Sequence, residues 1–166
     1  MNEKTKKIAM ASMFTAIICI ATMIIQIPLP SKGYINIGDC PVILSGWILS
    51  PFYGFLSSGI GSALADIFSG YVLYAPATFV IKGLMSVCAY FLFKFLNSKT
   101  GSFAAYLISG AAAEIVMSAG YLIFEGFLYG FQVAFLNVYG GLIQGSAGLV
   151  LAILFIKALK RKKENN

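Results

Sequence analysis

Histidine is absent from this chain of 166 residues, and charge is scarce, at 11% of the residues. An average globular protein carries about 25%. With 59% hydrophobic residues and a mean hydropathy of +0.86, there is too little polar surface to coat a soluble core of this length. The same composition excludes disorder. Without histidine the usual general base and the commonest metal ligand are missing. Cys19, Cys40 and Cys88 are odd in number and have no CxxC spacing, so neither a disulfide framework nor a zinc site is indicated. There is no GxxxxGK[ST] phosphate loop and no Rossmann glycine fingerprint. Gly145-Ser146-Ala147-Gly148 looks superficially like an intramembrane serine protease, but no histidine stands ready to activate the serine. The chain reads as an integral membrane protein that is not an enzyme and has no metal site.

The charge that is present is informative by its placement. Twelve Lys and Arg against six Asp and Glu give a net charge of +6, which invites a nucleic-acid reading. However, Lys4, Lys6 and Lys7 sit at one end of the chain and Lys157, Lys160, Arg161, Lys162 and Lys163 at the other. Such clusters flank membrane spans on their cytoplasmic side, so nucleic acid is not an expected partner and the lipid bilayer is. Residues 8–27 are apolar and long enough to cross a bilayer core of ~30 Å. They are too long for a signal-peptide core, which makes them a retained first helix. Pro28-Leu29-Pro30-Ser31-Lys32-Gly33 opens a loop.

Residues 41–68 are divided by Ser50-Pro51. Placing both basic ends inside requires an even number of crossings, so this stretch counts as two helices. The expected fold is all-α: a single domain over residues 1–166, a bundle of six membrane helices at 41–50 and 51–68, then 76–96, 102–125 and 131–159 after the first. Both termini are cytoplasmic, with a basic tail at 157–166. Lys94 and Lys99 then also fall inside, Lys32 lies in an outer loop and Lys82 within a span. A multi-pass protein of the bacterial plasma membrane is expected.

Ionisable residues inside a span are costly and functional by default. Here they form stripes. Thr78, Lys82 and Ser86 share one face of helix 4. Glu114, Ser118, Tyr121 and Glu125 share a face of helix 5, and Asn137, Gly141, Gln144 and Gly148 a face of helix 6. Three stripes in consecutive helices most simply face one another around a polar pocket. Rises of ~1.5 Å per residue put their convergence in the outer half of the membrane, under the loop 33–40. Lys82 and Glu114 are ligand contacts or a structural ion pair. Asn137 and Gln144 are ligand contacts or interhelical hydrogen-bond partners, and Glu125 is a solvated helix end or a site residue. Asp66 is read as holding the turn after helix 3, through Lys82, and Asp39 as capping helix 2. Tyr34, Tyr74 and Trp47 are candidate ring-stacking partners. Gly54, Ser58 and Ser62, with Ser57, Gly61 and Ala65 beside them, make a small-residue packing face on helix 3, and Gly141-xxx-Gly145 another on helix 6. Ala9, Ser12 and Ala16 leave a smooth flank on helix 1.

The ordered set Asn36-Ile37-Gly38-Asp39, Pro51-Phe52-Tyr53-Gly54, the run from Gly59 through Asp66 to Tyr71, and Tyr74-Ala75-Pro76-Ala77-Thr78 with Lys82-Gly83-Leu84 resembles the substrate-binding S components of energy-coupling factor (ECF) vitamin transporters. It is most similar to the riboflavin-type branch, which includes pyridoxine and hydroxymethylpyrimidine transporters. The resemblance implies capture of a vitamin from outside, a pyridoxine-like or hydroxymethylpyrimidine cargo first and riboflavin next. Its pocket is formed by the loop after helix 1 and by helices 4, 5 and 6. That matches the pocket read from the stripes, and the expected site residues are Tyr34, Asn36, Asp39, Tyr74, Thr78, Lys82, Glu114, Tyr121, Asn137 and Gln144. Ala9, Ser12 and Ala16 would dock on an ECF transmembrane coupling subunit driven by two ATPase subunits, which use the ATP; this chain itself holds no cofactor. Where the family often has an Ala-xxx-Ala pair, this chain has Ser12-xxx-Ala16 or Ala9 with Met13. Two other classes remain open on the residues alone: a self-contained ion-coupled carrier with Glu114 as its proton site, and a structural membrane subunit without a ligand.

Overall fold

The computed structural model describes residues 2–28 and 34–164, with the side chains of 162–164 left aside. Residue 1, residues 29–33, including the Lys32 of the expected outer loop, and residues 165–166 lie outside the described residues. Six helices follow in order: α1 Glu3–Ile24, α2 Asp39–Ile48, α3 Pro51–Phe68, α4 Ala75–Thr100, α5 Ser102–Tyr129 and α6 Phe131–Glu164. Two short strands, β1 Ile27–Pro28 and β2 Tyr34–Ile35, pair antiparallel between α1 and α2. Among the described residues α1, α4, α5 and α6 are each long and apolar enough to span a bilayer. The molecule is an all-α membrane bundle, as its sequence pattern implies.

Helix ends depart from the sequence expectation in instructive ways. The first helix stops at Ile24 rather than 27, because Ile27 and Pro28 leave it to pair with Ile35 and Tyr34. The second starts at Asp39, two residues before Pro41. A proline in the first turn lacks an N–H that would have no helical partner anyway. The expected loop 97–101 and turn 126–130 are each a single glycine. Gly101 and Gly130 have φ of +80° and +89°, a backbone region open to glycine at no steric cost. Only there does the helix stop; Asn97–Thr100 and Gly126–Tyr129 remain helical. Ser50-Pro51 behaves as read, with Pro51 at the first helical position of α3.

The short α2 is the centre of the bundle. Nine of its ten residues are buried, as expected for a helix apolar all round. It packs against α1, α3, α4 and α6. Its approach to α4 is close because Gly46 faces the backbone carbonyl of Ser86 and the methyl of Ala89. Hydroxyls are satisfied among themselves there: Ser45 Oγ lies 2.8 Å from Ser58 Oγ and 3.0 Å from Ser86 Oγ. The small-residue face of α3 does pack, Gly61 lying on Thr15 and Ile18 of α1 and Gly54 on Ser86. On α1 only Phe14, Ile18 and Thr22 are buried, and Ala9, Ser12 and Ala16 are exposed on the other side.

The two ends of the bundle differ. At one, Lys157 lies over the Phe103 ring, Lys160 over Tyr106 and Lys99 over Phe95, so α4, α5 and α6 gather their basic residues together. At the other, Gln26 after α1 donates to Ser69 after α3 at 2.8 Å, and a cavity opens.

Candidate functional site

The cavity has a volume of about 720 Å³, its open mouth included. The helical stripes place its walls. Thr78 and Lys82 come from α4, Ser118, Tyr121 and Glu125 from α5, and Asn137, Gly141 and Gln144 from α6, while Tyr34, Ile35 and Asn36 cover it. Eight of the ten expected site residues therefore meet around one space: Tyr34, Asn36, Tyr74, Thr78, Lys82, Tyr121, Asn137 and Gln144. Asp39 and Glu114 do not line it.

Beneath the cavity is a buried polar network. Lys82 Nζ forms an ion pair with Asp39 Oδ1, both side chains being almost wholly enclosed. Gln144 Nε2 donates to Asp39 Oδ2 at 2.6 Å, and Gln144 Oε1 accepts from the backbone N–H of Asn36 at 2.8 Å. Asn36 Oδ1 in turn accepts from the Gly38 N–H at 2.8 Å and so shapes the approach to α2. The sequence reading offered Asp66, Glu114 or a ligand as the partner of Lys82; the partner is Asp39. Nor does Asp39 cap α2: the cap position is Gly38, without a side-chain cap bond. Asp39 is the first residue of the helix, and the N-terminal backbone dipole favours a negative charge there. Its carboxylate has turned to α4 and α6 because a buried charge needs a charged partner more than an N-terminus needs a cap.

Glu114 lies outside the cavity, on the far side of the same network. Gly145 and Gly148 of α6 give it room, the former against its carboxyl and the latter against Asp39 and Glu114 together. It is not ion-paired with Lys82, and neither of its oxygens has a hydrogen-bond partner among the described residues.

The mouth is aromatic and acidic. Tyr34 and Tyr71 rings lie 4.7 Å apart and Tyr71 and Tyr74 6.2 Å. Tyr34 Oη donates to Asp66 Oδ1 at 2.6 Å. Burial, and then the neighbouring Asp66 carboxylate, push the Tyr34 phenol above its usual value. Tyr74 Oη donates to Glu125 Oε1 at 3.3 Å, and Asn137 Nδ2 to Glu125 Oε2 at 2.6 Å. The Thr78 and Tyr121 hydroxyls are 3.0 Å apart, and Lys82 Nζ stands 5.7 Å from the Tyr121 ring.

Three readings are corrected by this geometry. Glu125 is not a solvated helix end, since α5 continues for another turn and α6 covers it. Asp66 does not hold its turn through Lys82; it lines the cavity, bound to Tyr34. Trp47 stacks on no ligand space: it is buried on α2, donates to Ser109 Oγ at 3.0 Å and meets the Tyr106 ring edge-on. Its place follows from α2 being the core of the bundle. The residues missed are Thr22, Ser62, Tyr71 and Met117. For Ser62 a signal existed, since Ser62 and Asp66 have the i, i+4 spacing that exposed the stripes of the later helices.

Comparison with known proteins agrees with this architecture. The profile of the family described as ECF-type riboflavin transporter, S component, matches residues 2–161. An uncharacterised protein of Pyrococcus woesei is 33% identical over 135 residues, covering 81% of this chain and 88% of that one. The riboflavin transporter FmnP of Bacillus subtilis (strain 168) is 32% identical over 122 residues, which are 69% of this chain and 64% of that transporter. A solved structure described as that of the S component of a bacterial ECF transporter superposes with a TM-score of 0.74 at 22% identity, covering 96% of this chain and 98% of the other; that likeness bears on the fold. Matched along nearly its whole length, and folded as a membrane bundle around a cavity lined by polar and aromatic side chains, the chain belongs to the ECF-type riboflavin transporter S component family, whose members work in vitamin uptake with an ECF coupling module.

Proposed function

We propose that this chain captures a vitamin or vitamin precursor from outside the cell and hands it to an ECF transmembrane coupling subunit driven by two ATPase subunits. The observation that carries the reading is the cavity itself. A few convergent polar groups stand there among apolar and aromatic walls, the usual make-up of a small-molecule site. Its mouth lies at the end of the bundle away from the basic residues. With that basic end cytoplasmic, both termini are inside and the mouth faces out. The exposed flank of Ala9, Ser12 and Ala16 is the docking face for the coupling subunit, since small side chains let a partner helix approach closely.

The cargo is a flat heteroaromatic ring bearing hydroxyls. Tyr34, Tyr71 and Tyr74 offer faces and edges to the ring, and Asn36, Thr78, Asn137 and Gln144 orient polar groups. Riboflavin stands first, in keeping with the family and the Bacillus relative. A pyridoxine-like or hydroxymethylpyrimidine cargo is the second reading. It is favoured by two buried carboxyl groups in one wall and mouth, Asp66 and Glu125, which suit a basic ring nitrogen or an amino group.

The test is calorimetric titration of the purified chain in detergent, without partners. Riboflavin, pyridoxine and its vitamers, hydroxymethylpyrimidine and thiamin form the panel. Tight 1:1 binding of one member is expected, with uptake into cells only when the coupling module is present. Ala16→Leu is expected to abolish that uptake and leave the affinity unchanged. Uptake by the chain alone, lost when the ion gradient is collapsed, would overturn the reading.

A further inference from the structure

We infer that α3 carries a hydroxyl-reading subsite of the cavity, in which Asp66 Oδ2 and Ser62 Oγ hold a hydroxyl group of the cargo. This deepens the capture reading and rests on it. Ser62 and Asp66 are one turn apart on one face of α3, and both line the cavity. Asp66 is 4% exposed and Ser62 1%. Yet neither Asp66 Oδ2 nor Ser62 Oγ has a hydrogen-bond partner of good geometry among the described residues, although the Thr78 hydroxyl stands near the Asp66 carboxyl. The other buried hydroxyls of α3 are satisfied: Ser58 Oγ by Ser45 and Ser57 Oγ by the Gly54 carbonyl at 3.2 Å. Bonding on this helix fails only where it reaches the cavity. Buried polar atoms are nearly always paired in folded proteins, so two orphaned atoms one turn apart on a cavity-lining helix, closed off from solvent in the ligand-free chain, point to a partner that reaches them as the ligand settles.

The chemistry of that partner follows from the pair. Asp66 Oδ1 is already taken by Tyr34 Oη at 2.6 Å, and the Tyr34 ring is held against Tyr71. The direction of the free oxygen is therefore set. A carboxylate oxygen only accepts, whereas a serine hydroxyl both donates and accepts. A ligand hydroxyl meets both, donating to Asp66 Oδ2 and accepting from Ser62 Oγ. The cargo class is thus a ring vitamin whose side chain carries a free hydroxyl, a polyol or a hydroxymethyl. The Tyr34 bond also ties the occupied subsite to the loop that covers the cavity.

The test compares each hydroxylated probe with an analogue lacking the hydroxyl: riboflavin with lumiflavin, and pyridoxine with 4-deoxypyridoxine. Dissociation constants are measured for the wild-type chain, Asp66→Asn, Ser62→Ala and Tyr34→Phe. For whichever pair binds, the wild type should prefer the hydroxylated member. Asp66→Asn should cut that preference by about tenfold and Ser62→Ala by about threefold, the weights of a charge-assisted and a neutral hydrogen bond. The analogue's own affinity should hardly move. Tyr34→Phe frees Asp66 Oδ1 and loosens the loop, so it should weaken both members and the hydroxylated one more. Ser62→Ala also removes an orphaned hydroxyl, so the ligand-free protein should melt no lower than the wild type; a purely structural serine would lower it. A preference unchanged in both α3 variants overturns the subsite while the capture reading stands. Binding of neither pair overturns the subsite, and failure of the folded wild-type chain to bind any member of the wider panel, hydroxymethylpyrimidine and thiamin included, overturns the capture reading as well.

Discussion

Removing Lys82 should destabilise this protein before it does anything else. Lys82→Met keeps the length and apolar volume of the side chain and deletes the ammonium. Asp39 then stays behind as a carboxylate with no exposed surface. Breaking a buried pair from one side costs about 3–5 kcal/mol. Two groups soften the loss: the Gln144 amide at 2.6 Å from Asp39 Oδ2, and the N-terminus of α2, worth about 1 kcal/mol to an adjacent anion. A net loss of about 2–4 kcal/mol remains. At about 2–4 °C per kcal/mol for a chain of this size, the melting temperature in detergent should fall by roughly 4–16 °C. The double variant Lys82→Met with Asp39→Asn removes the stranded charge, while the carbonyl oxygen of the new side-chain amide can still accept from Gln144. It should recover at least about half of the fall, roughly 1–2 kcal/mol, and the coupling between the two positions exceeds that by whatever Asp39→Asn costs alone. The assay is thermal unfolding of the ligand-free protein, because Lys82 also lines the cavity and affinity alone would mix two roles. A single variant melting within about 2 °C of the wild type, or a double variant worse than the sum of the two singles, would refute the ion pair as the anchor of α2.

Glu114→Gln breaks no hydrogen bond and removes a second acidic group from beside Asp39. Its melting temperature is expected to equal or exceed that of the wild type, and a loss above about 1 kcal/mol would show a partner for the carboxyl. Gly46→Ala places a methyl against the Ser86 carbonyl and the Ala89 side chain. Backbone cannot yield there as a side chain can, so a loss of about 1–3 kcal/mol is expected in the same melt. Trp47→Phe forfeits the bond to Ser109 at a cost of about 1 kcal/mol, but Trp47 is remote from the cavity. Calorimetry should return the wild-type affinity for it; a tenfold change would bring Trp47 into the site.

Much of the site was legible because helical periodicity is strict. The positions Thr78-Lys82, Tyr121-Glu125 and Asn137-Gln144 each fall on one face whatever else the helix does, and an apolar solvent forbids that face from turning outward. The six helices were legible for a similar reason: Pro51, Gly101 and Gly130 act locally on the backbone. Less legible were the final turns of α4 and α5, since polar residues such as Asn97 and Ser98, and a glycine that keeps helical φ such as Gly126, do not stop a helix. The β1–β2 pairing escaped notice because two residues per strand leave no alternation to detect. Asp66 and Ser62 were misread because small and polar residues on one helix face serve packing and binding alike, and spacing does not distinguish the two.

By itself the sequence determined the solvent, the number of helices, and which residues share a face at which depth. Those properties follow from composition and from backbone geometry within one segment. Only the tertiary structure decided the pairings. Lys82 meets Asp39 across 43 positions and Gln144 meets Asn36 across 108, and neither span leaves a mark on local sequence. Rotation of one helix against the next depends on where small residues such as Gly46, Gly145 and Gly148 permit close approach. That rotation placed Lys82 on Asp39 and set Glu114 outside the cavity instead of in its wall.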